Sequence, residues 1–449
     1  LFRSIRSKYP NLVHEEATLA FRHFYDPKPL PPAGSDKADV EVRKLSFLRI
    51  ARRAFNRGFQ RSHRDLSQVR VGLPRVLNMY STGPFFRTFL ETLGLPKENV
   101  VWSTATSEEM WTEGGRYGSI DPCFPSKVTQ AHLHELIFHG HTDPKRGPLD
   151  YIWYPCITNI PNWVTSTMDN VTCPIVAGNP NVVKAAFTKE TDFFKKYGIE
   201  YIDQSINFGE INYLKRVLFD IWGPRLGVTE DEVEWAVDQG MAALEEFNRV
   251  LEGKGKEILE QVEREDRMAI LVIGRPYHND PGLNHGIPEE FQVLGYPVLS
   301  MRSIPKDPAW LAKYYPGEKD PLSITDIWPE NFSANSAQRV WAAKFASRHP
   351  NVAILDLSSF KCGHDAPTYG IVEKVVGTAK VPYSALHDID ANKPGGSIAI
   401  RVKTYVYRLK RIEEDLQERS RKRAELARRV AEKRRELEAA RNASSVAAK

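Results

Sequence analysis

The feature that most constrains this chain is the alternation of short apolar runs with helical patterns. Residues 268–273 and 352–355 are continuously apolar, as is typical of strands buried on both faces of a sheet. Helical patterns lie between them, for example over 338–349. Strands that alternate with helices favour parallel sheets. The sequence therefore predicts an α/β protein.

The same patterns predict two Rossmann-like parallel-sheet units with a helical insertion and helical N- and C-terminal extensions. The predicted divisions are a helical linker (1–67), a first α/β domain (68–185), a helical insertion (186–265), a second α/β domain (266–404) and a charged helical tail (405–449). Within the linker, 40–59 is predicted to form a basic amphipathic helix.

Charge is distributed unevenly along the chain. From residue 401 onward there are sixteen Lys and Arg against eight Asp and Glu, which leaves 46 basic and 49 acidic residues before it. The body therefore carries no basic excess, and we expect no nucleic-acid partner. No apolar run reaches the length of a membrane span, so we expect no membrane partner, and four cysteines favour a reducing cytoplasm. Because the chain begins at Leu1, we expect it to be a segment of something larger.

The four cysteines lie next to turn-forming residues rather than inside apolar runs. Cys123, Cys156 and Cys173 each neighbour a proline, and Cys362 precedes a glycine just after the apolar run 352–355. Parallel sheets place ligands at the carboxyl ends of their strands. We therefore hypothesise that several thiols converge on one iron–sulfur cluster. Zinc, and simple burial of each thiol, remain alternatives because the spacings of 33, 17 and 189 residues carry no metal signature.

Two polar stretches supply candidate catalytic residues. His278 and His285 lie in the loop after 268–273, where they could face a substrate or simply hold a turn together. His364 and Asp365 follow Cys362 and could act as an acid–base pair or donate hydrogen bonds to cluster sulfurs. A further group of histidines is expected to be exposed or lightly buried along a helix: His132, His134, His139 and His141.

Five motifs together resemble a known family. They are GLPRVL at 72–77, DPCFPSK at 121–127, CP at 173–174, GRPYH at 274–278 with NHGIP at 284–288, and SFKCGHDA at 359–366. They resemble the acyl-CoA dehydratase activase-related proteins, large proteins of the 2-hydroxyglutaryl-CoA dehydratase activator type. That family is related to the 2-hydroxyacyl-CoA dehydratases and the double-cubane cluster proteins. The resemblance covers residues 69–407, with Lys361 and His364 where the family usually has a small residue and a leucine.

The resemblance implies low-potential electron transfer. An ATP-hydrolysing activase domain or subunit of the actin-like type would transfer an electron to a 4Fe–4S cluster. By analogy with the dehydratases, Cys123, Cys173 and Cys362 would hold the cluster, with Cys156 a fourth ligand or a nearby thiol. A double cubane would need more thiolates than this chain contains, so a single cubane is expected.

The expected function is therefore an iron–sulfur electron-transfer or reductase component that resembles 2-hydroxyacyl-CoA dehydratase subunits. Either a dehydratase-like lyase or an ATP-coupled reductase would fit this description. The expected substrate is an acyl-CoA or another small molecule. A homo-oligomer is one expected state of assembly. The alternative is a non-catalytic interaction module of a larger activase-type protein, with structural or zinc-bound thiols. The chain contains no Walker or GxGxxG motif, so we expect no nucleotide site of its own.

Overall fold

The computed structural model describes residues 9–35, 58–118, 123–145, 147–359, 362–391 and 395–447, with side chains as far as residue 438. The described strands are β1 (Val71–Leu73), β2 (Val100–Trp102), β3 (Tyr151–Trp153), β4 (Cys156–Asn159), β5 (Glu200–Ile202), β6 (Ser205–Asn207), β7 (Ala269–Ile273), β8 (Val298–Ser300), β9 (Val352–Ser359) and β10 (Tyr383–Ile389). The described α-helices are α1 (Leu12–Leu19), α2 (Met79–Leu93), α3 (Glu108–Gly114), α4 (Phe124–Glu135), α5 (Pro174–Thr188), α6 (Phe193–Tyr197), α7 (Ile211–Leu226), α8 (Glu230–Arg264), α9 (Ile287–Val293), α10 (Pro308–Leu311), α11 (Ala334–Arg348), α12 (Ala366–Thr378) and α13 (Gly395–Ala447).

Two four-stranded parallel sheets form the framework of the described residues. The first has the strand order β2-β1-β3-β5, and the second has the order β10-β9-β7-β8. Both central strands of the second sheet, β7 and β9, are buried along their whole length, as their apolar runs predict. A small parallel pair, β4 with β6, extends from the first unit. The α/β class with two Rossmann-like parallel-sheet units is confirmed.

Helix α8 joins the two units through their hydrophobic cores. Its N-terminus is fixed by a capping box between Thr229 and Glu232. Farther along, Phe247 packs in the core of the first unit and Leu259 in the core of the second. One helix of 35 residues therefore contributes to the hydrophobic cores of both units.

The predicted helical insertion contains more than helices. Strand β5 lies inside the range 186–265 and forms an edge of the first sheet, and β6 lies there too. Each has only three residues, and three residues are too few for a periodic pattern to stand out from the helices around them.

The two ends of the described chain are partly built into the body. Helix α1 buries Leu12 and Leu19 in different cores, and the predicted helix at 40–59 lies almost entirely outside the described residues. At the other end α13 begins at Gly395, and its first turns bury Val402 and Leu409 against the second sheet before the helix becomes exposed. Across the described residues, no helix combines the length and the apolar character needed to cross a membrane.

Candidate functional site

Three of the four cysteines line one cavity. Cys123, Cys173 and Cys362 contribute to the wall of a cavity of about 620 Å³, called here the thiol cavity. The first two thiols belong to the first α/β unit and the third to the second unit. The fold therefore brings together residues that lie up to 239 positions apart in the chain.

Cys123 and Cys173 occupy the same kind of position in the local structure. Each is the N-cap residue of a helix, α4 and α5 respectively, and each helix has a proline in its first turn. Proline is favoured there because its missing N–H would have no helical partner. Both thiols consequently sit at the positive end of a helix dipole, where negative charge is stabilised.

Cys362 lies in the short connection between β9 and α12. Its amide donates a hydrogen bond to the Ser359 carbonyl at 3.1 Å, and its own carbonyl accepts one from Ala366 at 3.1 Å. Burial raises the pKa of the Cys362 thiol and nearby Asp365 adds to this, whereas the positive charge of Arg275 lowers it. The backbone turn therefore fixes the thiol, and the charges behind it influence its ionisation.

Behind Cys362 lies a buried ion pair that ties the second unit's loops together. The Arg275 Nη2 atom lies 2.8 Å from Asp365 Oδ1, and both side chains are at most 2% exposed. Ser358 Oγ donates to the other Asp365 oxygen at 2.9 Å. Although burial opposes its ionisation, Arg275 and then Arg339 hold the pKa of the Asp365 carboxyl well below its usual range. Asp365 is thus an ionised acceptor within the fold, although the sequence offered it as an acid–base candidate.

The remaining wall of the thiol cavity is mostly apolar. Its apolar members are Pro174, Ile175, Val176, Trp328, Phe332 and Pro367. Ile175 and Phe332 are 41% and 49% exposed, so apolar surface continues to the rim. Ser333 also lines the cavity, and its buried hydroxyl has no hydrogen-bond partner among the described residues.

Sequence reasoning missed several of these wall residues. Trp328, Phe332 and Ser333 come from the irregular segment before α11, where no periodic pattern marked a site. Tyr277 also lines the cavity, and its ring is buried. Its position in the GRPYH motif, next to His278, was the available signal.

Cys156 does not line the thiol cavity. It is the first residue of β4 and is 5% exposed. Asn181 Nδ2 lies 3.5 Å from its sulfur, and burial raises the pKa of the thiol. The structure therefore separates this cysteine from the other three.

His278 is a buried part of a turn. Its Nδ1 accepts a hydrogen bond from the Arg275 amide at 3.0 Å, and its Nε2 lies 3.2 Å from Ser359 Oγ. Burial lowers the pKa of the ring to about 4. With Nδ1 accepting, the proton resides on Nε2, and His278 links the ends of β7 and β9 rather than facing a large cavity.

The other two candidate histidines occupy different places. His364 lines the thiol cavity, half-buried, and burial lowers its pKa to about 4. His285 instead borders a separate cavity of about 780 Å³, and its Nε2 lies 2.9 Å from the Asp390 carbonyl oxygen. Of the two, only His364 is positioned beside the thiols.

His132 is fully buried, against the expectation of exposure. Its Nδ1 lies 2.8 Å from Ser103 Oγ, and its Nε2 lies 2.9 Å from Thr106 Oγ1. Thr106 and Tyr80 both donate to Asp280 of the second unit, each at 2.6 Å. The helical pattern did not reveal that this face of α4 packs towards the other unit.

Residues 70–304 match the family model of the CoA enzyme activase uncharacterised domain, over more than half of the 449 residues. The chain belongs to this family. The resemblance to CoA activase-related proteins is thereby confirmed. The family domain includes Cys123 and Cys173, whereas Cys362 follows it. No curated protein of similar sequence was found.

Proposed function

We propose that this member of the CoA enzyme activase domain family is an iron–sulfur electron-transfer or reductase component. Cys123, Cys173 and Cys362 would hold a 4Fe–4S cluster, and an ATP-dependent activase would supply its low-potential electron. The observation that carries the proposal is the convergence of three thiols, from three separate segments, on one cavity.

The three thiols are spaced more widely than the ligands of one zinc ion. Around tetrahedral zinc, sulfur ligands lie about 3.8 Å apart, given Zn–S bonds of about 2.3 Å. The three sulfurs of the thiol cavity do not form a group within 4.8 Å of one another. Thiolates on different irons of a cubane stand farther apart than ligands of one ion, so a 4Fe–4S cluster does not require the short spacing that zinc requires.

The surroundings also suit an anionic cluster. The helix N-termini at Cys123 and Cys173 place partial positive charge beside two of the sulfurs, and at Cys362 the charge of Arg275 partly offsets burial and Asp365, which raise the pKa of that thiol. The unpartnered hydroxyl of Ser333 offers a hydrogen-bond donor at the wall. The apolar remainder of the wall would give a cluster surroundings of low dielectric constant, which lower its reduction potential.

Three protein thiolates leave one position of a cubane without a protein ligand. When bound, the cluster would supply one-electron reduction at that position. The roles of this chain's residues would then be to hold the three irons and to keep the cavity dry. His364 stands at the same wall and is neutral at pH 7, since burial lowers its pKa to about 4. It would offer a hydrogen bond to a molecule in the cavity.

The apolar rim gives the proposed electron donor a place to approach. Ile175 and Phe332 expose apolar surface at the mouth of the thiol cavity. An activase that docks transiently would cover this rim and exclude water from the path of the electron. Replacement of Phe332 by Ser should therefore slow ATP-dependent reduction while leaving iron content unchanged.

Metal analysis distinguishes this proposal from the alternative of a zinc-bound or metal-free interaction module. Protein purified without oxygen should contain about four irons and four sulfides per chain, and dithionite should produce the EPR signal of a reduced cluster. Stoichiometric zinc without sulfide would instead support the structural module.

A further inference from the structure

We propose that Glu113, His134 and His139 form a zinc-binding site on the surface of the first α/β unit. This site does not share residues with the thiol cavity and does not depend on the proposed cluster. One ring nitrogen of each histidine and one carboxylate oxygen of Glu113 all lie within 4.8 Å of one another. Among the described residues, no other set of three such groups meets this spacing.

An irregularity in the backbone brings the two histidines together. In a regular α-helix, residues five positions apart point about 140° away from each other. Helix α4 instead continues into a π-helical turn at Leu136–Gly140, in which His141 N bonds to the Leu136 carbonyl at 2.8 Å. The wider turn rotates His139 towards His134, so that the ring centroids are 5.8 Å apart. Single π-turns of this kind are frequent at functional sites.

The third group comes from a neighbouring helix. Glu113 lies in α3, and its Oε2 atom is 3.2 Å from His139 Nε2. The ring of His134 is held between Tyr117 and Phe138, with centroid distances of 5.0 and 4.6 Å. One ligand is therefore fixed by aromatic packing, while the other two can adjust to an ion.

The donor set is one that zinc favours. Two imidazole nitrogens and a carboxylate oxygen form a known zinc ligand set in which water fills the fourth position. The side chains of His139 and Glu113 are 58% and 54% exposed, which leaves that position open to solvent. The nearby guanidinium of Arg116, whose Nε donates to the Glu113 carbonyl at 3.0 Å, opposes a cation and limits the affinity.

Zinc at this site would join α3 to the end of α4. Helix α4 also carries Cys123 at its N-cap, so the ion would restrain the helix that positions one wall of the thiol cavity. The proposed role of the zinc ion is therefore structural: it would hold α3 and α4 together.

The test is a titration of the full chain with Zn²⁺, and with Co²⁺ as a spectroscopic probe. His139→Gln removes one exposed ligand, and His63→Gln removes an exposed histidine outside the site as a matched control. We expect one Zn²⁺ to bind at micromolar concentration to the wild type and to H63Q, and to raise their Tm. Affinity in H139Q should be at least about tenfold weaker, with no rise in Tm.

The Co²⁺ spectrum separates this site from the thiols. The absorption that H139Q loses should be that of nitrogen and oxygen ligands, without thiolate-to-metal charge transfer. Glu113→Gln should show the same loss. Equal affinity in H139Q and H63Q, binding only at millimolar concentration, or a lost signal with thiolate character would each overturn the proposal.

Discussion

At the scale of single residues, replacement of Asp365 should have the clearest effect on the free energy of unfolding. Its carboxylate is buried between Arg275 and Arg339, and removing its charge leaves Arg275 without a carboxylate partner and Arg339 with Asp356 alone. Breaking a buried pair in this way costs about 3–5 kcal/mol. We expect D365N to lower the free energy of unfolding by about that amount in urea denaturation.

The control for this variant is another Asp–Arg pair in the same unit. Asp388 is 57% exposed and pairs with Arg401 at 2.9 Å. Asp388→Asn should cost less than about 1 kcal/mol, because surface ion pairs contribute little. Equal losses in the two variants would show that the buried network is not a major source of stability.

The sequence predicted the positions of some site residues and not of others, for physical reasons. The neighbouring prolines predicted that Cys123 and Cys173 lie outside apolar runs, and both are N-cap residues of helices. The separation of Cys156 was not readable, because it depends on a pairing of β4 with β6 that involves strands of three and four residues. The role of His278 was equally ambiguous, because a polar loop has the same sequence pattern whether it faces a ligand or forms hydrogen bonds within itself.

At the scale of elements, two nearby glycines in α8 should respond oppositely to alanine. A Cβ atom at Gly255 would lie 1.8 Å from the Ser303 carbonyl oxygen, whereas one at Gly253 would meet nothing within 4 Å. We expect Gly255→Ala to destabilise the protein by about 1–3 kcal/mol through overpacking. Gly253→Ala should stabilise it by about 0.5–1 kcal/mol, because alanine is the better helix former.

Chemical denaturation of both variants provides the check. A stabilising Gly255→Ala would contradict the close approach of α8 to the segment after β8.

Truncation can show where α13 stops contributing to the stability of the body. Leu409 is fully buried, and Glu413 accepts hydrogen bonds from the Met268 amide at 2.8 Å and from Tyr296 at 3.1 Å. A chain truncated after Arg408 loses these contacts and should melt at a lower temperature. A chain truncated after Arg419 should keep its Tm, because the helix beyond it is largely exposed. Equal Tm values for the two truncations would show that this part of α13 does not stabilise the body.

Long elements were predicted better than short ones. The helical insertion predicted at 186–265 contains α8, and the apolar run 268–273 predicted β7, since both have strong local signals. Strand β10 was missed because its mixed polarity, with half-buried residues along most of its length, resembles a loop. Its place is set by pairing with β9, which no local pattern encodes.

At the scale of the whole molecule, buried histidines should make stability depend on pH. Burial lowers the pKa values of His132, His278 and His349 to about 4. In the unfolded chain a histidine has a pKa of about 6.5, so between pH 6.5 and 4 the unfolded state binds protons that the fold excludes. Stability should therefore be full above about pH 6.5 and fall below it, by up to about 3 kcal/mol for each histidine.

Urea unfolding at pH 7.5, 6 and 5 measures this dependence. His349→Gln should reduce the slope, whereas His63→Gln, which changes an exposed histidine, should leave it unchanged. A free energy of unfolding that stays constant down to pH 5 would contradict the burial of these rings in neutral form.

The arrangement of the two units explains why the site was only partly predictable. Each sheet could be inferred from its own strands, but the thiol cavity lies where the units meet. Cys173 and Cys362 are 189 residues apart, and their proximity depends on α8 and on contacts such as that of Tyr80 with Asp280. No local pattern contains that information.

The most direct test of the central claim is the iron content of single cysteine variants purified without oxygen. Cys173→Ala removes a thiol of the cavity, and Cys156→Ala removes one that lies elsewhere. The account predicts that C156A retains the iron and sulfide of the wild type, while C173A loses most of both. Full iron in C173A, or its loss in C156A, would contradict the assignment of the cluster to the thiol cavity.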